Sequence, residues 1–379
     1  SVDSLDTCQL LIKAREIEET IDFTTSIEFL KANFSAVKKD VALLSFLSYC
    51  YFMNGDSKNA TSYLLQAKEI DPKAPPVIWN EIRLLATQNH IPEAINAARK
   101  GIELYPEDSE GIALLGSILR VGGTIEEALQ FLENAISLDS TCTTALINRG
   151  LIRLSKDEKS EALADFEAVF SIKPSIKQNW RYLVNLKIEF EKFEEAIIAI
   201  NKIIQIDPEN EKHYLSLGFC HSKLRNLEGA VIAYKKSLDI NPNDFGALND
   251  LGVILKQQGE HDESIATLEK ALKIKSDSAE VYNNLGNAHA EKGNLTSAMA
   301  NYQLAIGKKP DFCEAHNNLG LALLTEGDLE GCRNCAQTAL SYNAEFAPAY
   351  MTLYGASSNI VEAHGWIEQC LKISPKNQE

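Results

Sequence analysis

Two groups of residues in this sequence have the types and spacing to do chemistry. Cys313-x2-His316 followed by Cys332-x2-Cys335 has, on paper, the ligand spacing of a tetrahedral zinc site. The other group is a recurrent amide: Asn249 beside Asp250, Asn283-Asn284 and Asn317-Asn318 each precede Leu-Gly, with Asn287 close by. A side-chain amide carries both donor and acceptor, so a row of them can pair with the N–H and C=O groups of an extended peptide whatever its side chains are. Which of the two groups is functional depends on the elements that position them.

Those elements repeat. From Pro310, steps of 34 residues land on Pro72, Pro106, Ser140, Pro174, Pro208, Pro242, Ser276 and Ala344 without insertion or deletion. With repeats starting at 41, 75, 109, 143, 177, 211, 245, 279 and 313, the eighth place holds Gly116, Gly150, Gly218, Gly252, Gly286 and Gly320. The twentieth place is Ala at most repeats, with Ser264 and Cys332 as small substitutes. Small side chains in both columns imply two helices that cross closely. Apolar residues recur at helical spacing in two runs per repeat, such as Leu248, Leu251 and Leu255, then Ile265, Leu268 and Leu272. Gly259, Gly293 and Gly327 stand between the runs, where a helix end needs a residue of positive φ. The Pro column follows the second run and blocks its continuation.

A 34-residue unit with this Leu-Gly, Ala and Pro spacing resembles the tetratricopeptide repeat over residues 41–346. The resemblance implies an all-α fold, a right-handed superhelical solenoid of stacked helical hairpins. Residues 1–40 read as a degenerate N-terminal repeat, with Leu10, Ala14, Ser26 and Leu30 in the matching columns. Residues 41–346 are nine repeats in strict register, and 347–379 a further one whose inter-helix turn is shorter by about three residues. The chain begins at Ser1 without a methionine and stops just after "SPKN", which reads as a truncated piece of something longer.

In such an array each hairpin contacts its neighbours and the first helices line a concave face. The family geometry implies groove-facing residues at the second, fifth, sixth, ninth, twelfth and thirteenth places. Those places hold Asn249, Asp250, Lys256, Asn283, Asn284, Asn287, Asn317 and Asn318 in the C-terminal half, a peptide-binding ladder. It is similar to the asparagine ladder in the tetratricopeptide arm of O-linked N-acetylglucosamine transferase, a likeness carried by Asn284 and Asn318. Repeated surface residues can instead merely solvate a helix face or satisfy one another. Glu280, Glu291 and Glu314 face only Lys256, so neutral or basic ligands are preferred. The N-terminal half places Phe46, Tyr49, Phe52, Met53 and Trp79 at groove positions. That apolar surface implies an interface for a partner or a second copy, unless the first hairpin covers it.

Other chemistry is not expected. Cys332 occupies the small-residue column and His316 the column of Tyr214, Leu248 and Tyr282, so packing accounts for both and no metal is expected. No P-loop, dinucleotide glycine fingerprint, His-Glu-x-x-His or Gly-x-Ser-x-Gly occurs, so neither catalytic residues nor a cofactor are expected. A formal net charge of −16 argues against binding phosphate backbones. No apolar run reaches the roughly 20 residues that span a membrane. Eight cysteines scattered over 379 residues read as free thiols in a reducing compartment, an expectation of cytoplasmic location. The functional expectation is a non-catalytic scaffold binding extended segments of partner proteins. The alternatives are the substrate-recruiting arm of a larger enzyme such as a glycosyltransferase, or a self-assembling array.

Overall fold

In the computed structural model, which describes residues 6–20 and 23–374, twenty-three helices and no strand are found among the described residues. Three belong to the N-terminal segment: Thr7–Thr20, Phe23–Ala32 and the short Phe34–Val37. The other twenty form antiparallel pairs, for example Phe245–Gln257 with His261–Ile274 and Ala279–Glu291 with Leu295–Lys308. No helix among the described residues is long and apolar enough to cross a membrane. The chain divides between Pro208 and Glu209 into two bodies. Within each, the helices of a pair pack on one another and the second packs on the first helix of the next pair.

The small-residue columns are where the helices meet. A Cβ on Gly252 would stand 2.5 Å from Leu268, one on Gly218 2.8 Å from Tyr234 and one on Gly150 2.9 Å from Phe166. In these three repeats the opposing residue is the twenty-fourth, whose large side chain fills the space that glycine leaves, whereas Gly320 faces the Cys332 carbonyl and Cys335. At Ile82, where the eighth place is large and buried, the twenty-fourth is Ala98. In that repeat the large and small sides of the contact are exchanged. In the hairpin of residues 7–40, Ser26 Oγ donates to the Ala14 carbonyl at 2.5 Å, as Ser264 Oγ does to Gly252 at 2.6 Å.

Starts and stops have local causes. Asp40, Asp108 and Asp244 cap their helices, Asp244 accepting from Ala247 N at 2.7 Å. Every first helix from residue 41 to 326 is followed by a residue in the left-handed region, glycine in five repeats, but Asn89, Asp157, Glu191 and Arg225 in four. A side chain with a Cβ is strained there, and Glu191 and Arg225 are exposed at φ 56°. Glu191→Gly and Arg225→Gly are therefore each expected to raise stability by about 0.5–1 kcal/mol, strain relief outweighing the added freedom of the unfolded chain. Denaturant midpoints check this, and a fall in either would show that the strain is absent.

Candidate functional site

The amides expected to line a groove in the C-terminal body sit on the first helices Phe245–Gln257, Ala279–Glu291 and Cys313–Glu326, which Ala347–Gly355 follows. Their fifth-place amides do not line it. Asn249, Asn283 and Asn317 are buried, 5–7 % exposed, which corrects the expectation that they face a groove. Each is capped by the sixth-place residue of the following repeat. Asn284 Nδ2 donates to Asn249 Oδ1 at 2.9 Å, Asn318 Nδ2 to Asn283 Oδ1 at 2.9 Å, and Thr352 Oγ1 to Asn317 Oδ1 at 2.8 Å. In the N-terminal body the sixth-place Asn80 reaches the same place differently, its Nδ2 donating to the main-chain carbonyl of Ser45 at 2.7 Å. The fifth place lies three residues before the eighth, on the side that faces neighbouring helices, so its polar groups must find partners within the protein. The paired asparagines are first of all stitches between repeats.

What the stitches leave over belongs to Asn284, Asn287 and Asn318, all half-buried. Asn318 spends both N–H groups, on Asn283 and on Asn287 Oδ1 at 3.1 Å, while Asn287 Oδ1 also accepts from Tyr302 OH at 2.9 Å. The carbonyls of Asn284 and Asn318, the amide nitrogen of Asn287 and one N–H of Asn284 have no hydrogen bond among the described residues. Asn287, Asn318, Tyr302 and Leu321 line a hollow of about 340 Å3.

Charge is less free than the sequence suggests. Lys256 Nζ lies 2.6 Å from Glu291 on the next first helix, so the cation assigned to peptide binding is paired within the protein. Glu280 accepts weakly from Asn249 Nδ2 at 3.3 Å. Asp250 is half-buried, and its carboxyl is held above the usual range by desolvation and then by the negative charge of Glu280.

The cysteine-histidine group does not assemble. His316 Nε2 lies 2.8 Å from the Pro310 carbonyl and its ring stacks on Tyr342. Trp180 Nε1 and Tyr350 OH make the same contact six residues back, to Pro174 at 2.6 Å and Ala344 at 2.9 Å. Where the fourth place carries a polar ring, as at Trp180, His316 and Tyr350, that side chain thus closes the carbonyl six residues before it. Cys313 Sγ points to the Ala339 carbonyl at 3.4 Å and Cys332 is fully buried, its thiol pushed up by desolvation. No group of three potential ligands is gathered for a metal among the described residues. All eight cysteines are unpaired.

The N-terminal body departs further from expectation. Trp79, assigned to an exposed apolar interface, is core: it is 4 % exposed, and its Nε1–H donates to Asp108 Oδ2 at 2.9 Å. Phe46 and Phe52 are half-buried and pack on the cluster of Leu43, Leu44 and Leu47. Tyr49 stacks on Phe46 at 6.2 Å and meets Phe23 edge-on at 5.9 Å. Desolvation pushes its hydroxyl up to about 12. The first hairpin supplies Phe23 and Arg15, which lies over the Phe46 ring. Together Arg15, Phe46, Tyr49, Trp79, Asn80 and Arg83 line part of a hollow of about 450 Å3. At its edge Glu18, 8 % exposed, pairs with Lys173 at 2.7 Å, two residues 155 positions apart. Nothing in the sequence signals that pairing or the placing of Arg15 and Arg83 at one hollow, because the repeat columns describe neighbours and these groups meet across several repeats.

Sequence comparisons agree with the hairpin architecture. Profiles described as "TPR repeat" match residues 254–293 and 286–327, and others described as "Tetratricopeptide repeat" match 80–141, 213–244 and 233–266. Anaphase-promoting complex subunit 7 of Mus musculus is 24 % identical over 200 residues, 52 % of this chain and 35 % of that protein. The match therefore spans about a third of the relative's length. Among solved structures, the chain is similar to the pilus biogenesis factor PilW, with 20 % identity, coverage of 54 % and 96 % of the two chains and a TM-score of 0.48. It is also similar to the hetero-tetramer of Cut9 and Hcn1 from APC/C, with 16 % identity, coverage of 98 % and 88 % and a TM-score of 0.44. The hairpins of residues 80–141 and 213–327 are tetratricopeptide repeats.

Proposed function

We propose that this chain is a non-catalytic scaffold that binds extended segments of partner proteins along the inner row of its C-terminal body. The observation that carries the reading is the set of amide groups left over at Asn284, Asn287 and Asn318 once the repeats are stitched together. Packed helices lie about 8–10 Å apart, and an extended chain advances about 3.3 Å per residue, so one first helix corresponds to about three peptide residues. The carbonyls of Asn284 and Asn318 accept peptide N–H groups, and the amides of Asn284 and Asn287 donate to peptide carbonyls. Asp250, Glu280 and Glu314 remain as the charges nearby, which favours neutral or basic segments. That a relative covering about half of this chain is a subunit of the anaphase-promoting complex supports a setting in a multi-subunit assembly.

An arrayed library of extended peptides tests the reading. Neutral and Lys- or Arg-containing peptides are expected to be retained over acidic ones, and Asn284→Ala with Asn318→Ala to weaken them about tenfold or more. The same pair leaves Asn249 and Asn283 carbonyls unsatisfied, so it also costs about 1–3 kcal/mol of stability, most of it local to residues 245–326. Unchanged retention by a double variant that keeps its helix content would refute peptide binding by the amide row.

A further inference from the structure

The N-terminal body holds two hollows, of about 450 and 540 Å3, and five residues border both: Glu18, Tyr49, Thr143, Thr144 and Lys173. The ion pair of Glu18 and Lys173, 2.7 Å apart, therefore stands on the boundary between them. From that boundary the first hollow extends toward Trp79 and Arg83, the second toward Phe23, Met53 and Ile147. Glu18 reaches it from the last turn of the helix Thr7–Thr20, an end with no basic residue of its own. A carboxylate there faces the negative end of the helix dipole, and at 8 % exposure water gives it little relief. The countercharge that this helix end lacks comes from Lys173, 155 positions away. Earlier in the helix, Leu10 and Ala14 are buried in one cluster with Leu43, Leu44 and Leu47, and the Ala14 carbonyl accepts from Ser26. From Arg15 onward, Glu18 is the one buried side chain among those described. The helix is thus anchored in the core by its first turns and held at its last turns largely by charge.

We propose that the Glu18–Lys173 pair is a gate between the two hollows, with the last turns of the helix Thr7–Thr20 as its moving part. Closed, the gate keeps the hollows separate. Opening withdraws Glu18, joins them into one cleft running from Trp79 to Ile147, and bares the Tyr49 ring that lies between. A buried ion pair suits such a gate. Desolvation offsets much of its attraction, so the closed state is only modestly favoured, while loss of one partner strands the other and opens it. The part that moves is a helix end, which separates locally without unfolding the repeats behind it.

Hydrogen exchange of the full chain tests the gate in the wild type, in Lys173→Gln and in the double variant Lys173→Gln with Glu18→Gln. The single variant strands Glu18 at the negative end of the dipole, and exchange over residues 15–20 is expected to quicken about tenfold or more, with residues 41–121 unchanged. Adding Glu18→Gln removes the stranded charge and is expected to recover most of the protection, which loss of a packing contact at Lys173 would not allow. Access is read separately on tyrosine-labelled chains. A soluble paramagnetic probe is expected to broaden the Tyr49 ring signals more in the single variant than in the other two. Unchanged exchange over residues 15–20, no recovery in the double variant, or equal broadening of Tyr49 in all three overturns the gate. So does quickening spread through residues 41–121, which would make the pair a part of the core.

Discussion

Trp79→Ala is expected to destabilise the N-terminal body by about 3–5 kcal/mol. The indole is 4 % exposed and its ring fills the space beside Gly101, where a Cβ would stand 2.5 Å away, and beside Gly111, where there is no room for one. Removing it leaves a cavity bounded by backbone that cannot collapse freely, and it strips Asp108 Oδ2 of its donor. Asp108 also caps the helix Ser109–Val121, so the loss reaches the next repeat. Repeat arrays lose structure in neighbouring units, so hydrogen exchange should quicken first in residues 75–121. Denaturant titration gives the total. If stability is unchanged and the mass in solution falls instead, Trp79 is an interface residue and the packing described above is wrong at that place.

Asp165→Ala ranks second, with an expected cost of about 3 kcal/mol. The carboxylate is 3 % exposed and holds two guanidiniums: Arg149 through Nη2 at 2.6 Å and Nε at 3.2 Å, and Arg153 through Nη1 at 2.7 Å. Without it, two cations that are only 19 % and 23 % exposed face one another with no counter-charge. Their partial access to water keeps the cost near the lower end for a broken buried pair. Replacing all three with apolar residues of similar volume, Asp165→Leu, Arg149→Met and Arg153→Met, is expected to recover most of the loss, since the desolvation cost leaves together with the attraction. A midpoint shift at constant denaturant slope reads both effects. An Asp165→Ala chain as stable as the wild type would mean that the two arginines find water or other acids instead.

Most of the hairpin architecture was legible because the information is local and repeated. Leu248, Leu251 and Leu255 lie on one helical face whatever surrounds them, and Gly259 follows at the only kind of position its φ of 84° suits. The column of small residues was equally readable, since Gly252 against Leu268 is a steric requirement restated at Gly218 against Tyr234. His316 and Cys332 stand in packing columns of the repeat, and their surroundings, the Pro310 carbonyl and the core, are those such columns provide.

The inner surface was read less well. Neighbouring places on a helix differ by roughly 100°, and that single step separates Asn283, buried, from Asn284, half-buried. Both are asparagine, so no property of the residue itself tells them apart. Trp79 shows the same limit from the other side: a large aromatic at a fifth place is either an anchor for a partner or a filler for two glycines, and Gly101 and Gly111 lie 22 and 32 positions away. The sequence by itself determined the period, the paired helices and the residues at which they cross, because these follow from backbone geometry and contacts within about one repeat. The tertiary structure alone decided which amides are stitches and which keep free groups, that Glu18 meets Lys173, and that Arg15 and Arg83 share one hollow. Those relations depend on how successive repeats rotate against one another, a small angle per junction that accumulates over several repeats and is written in no single column.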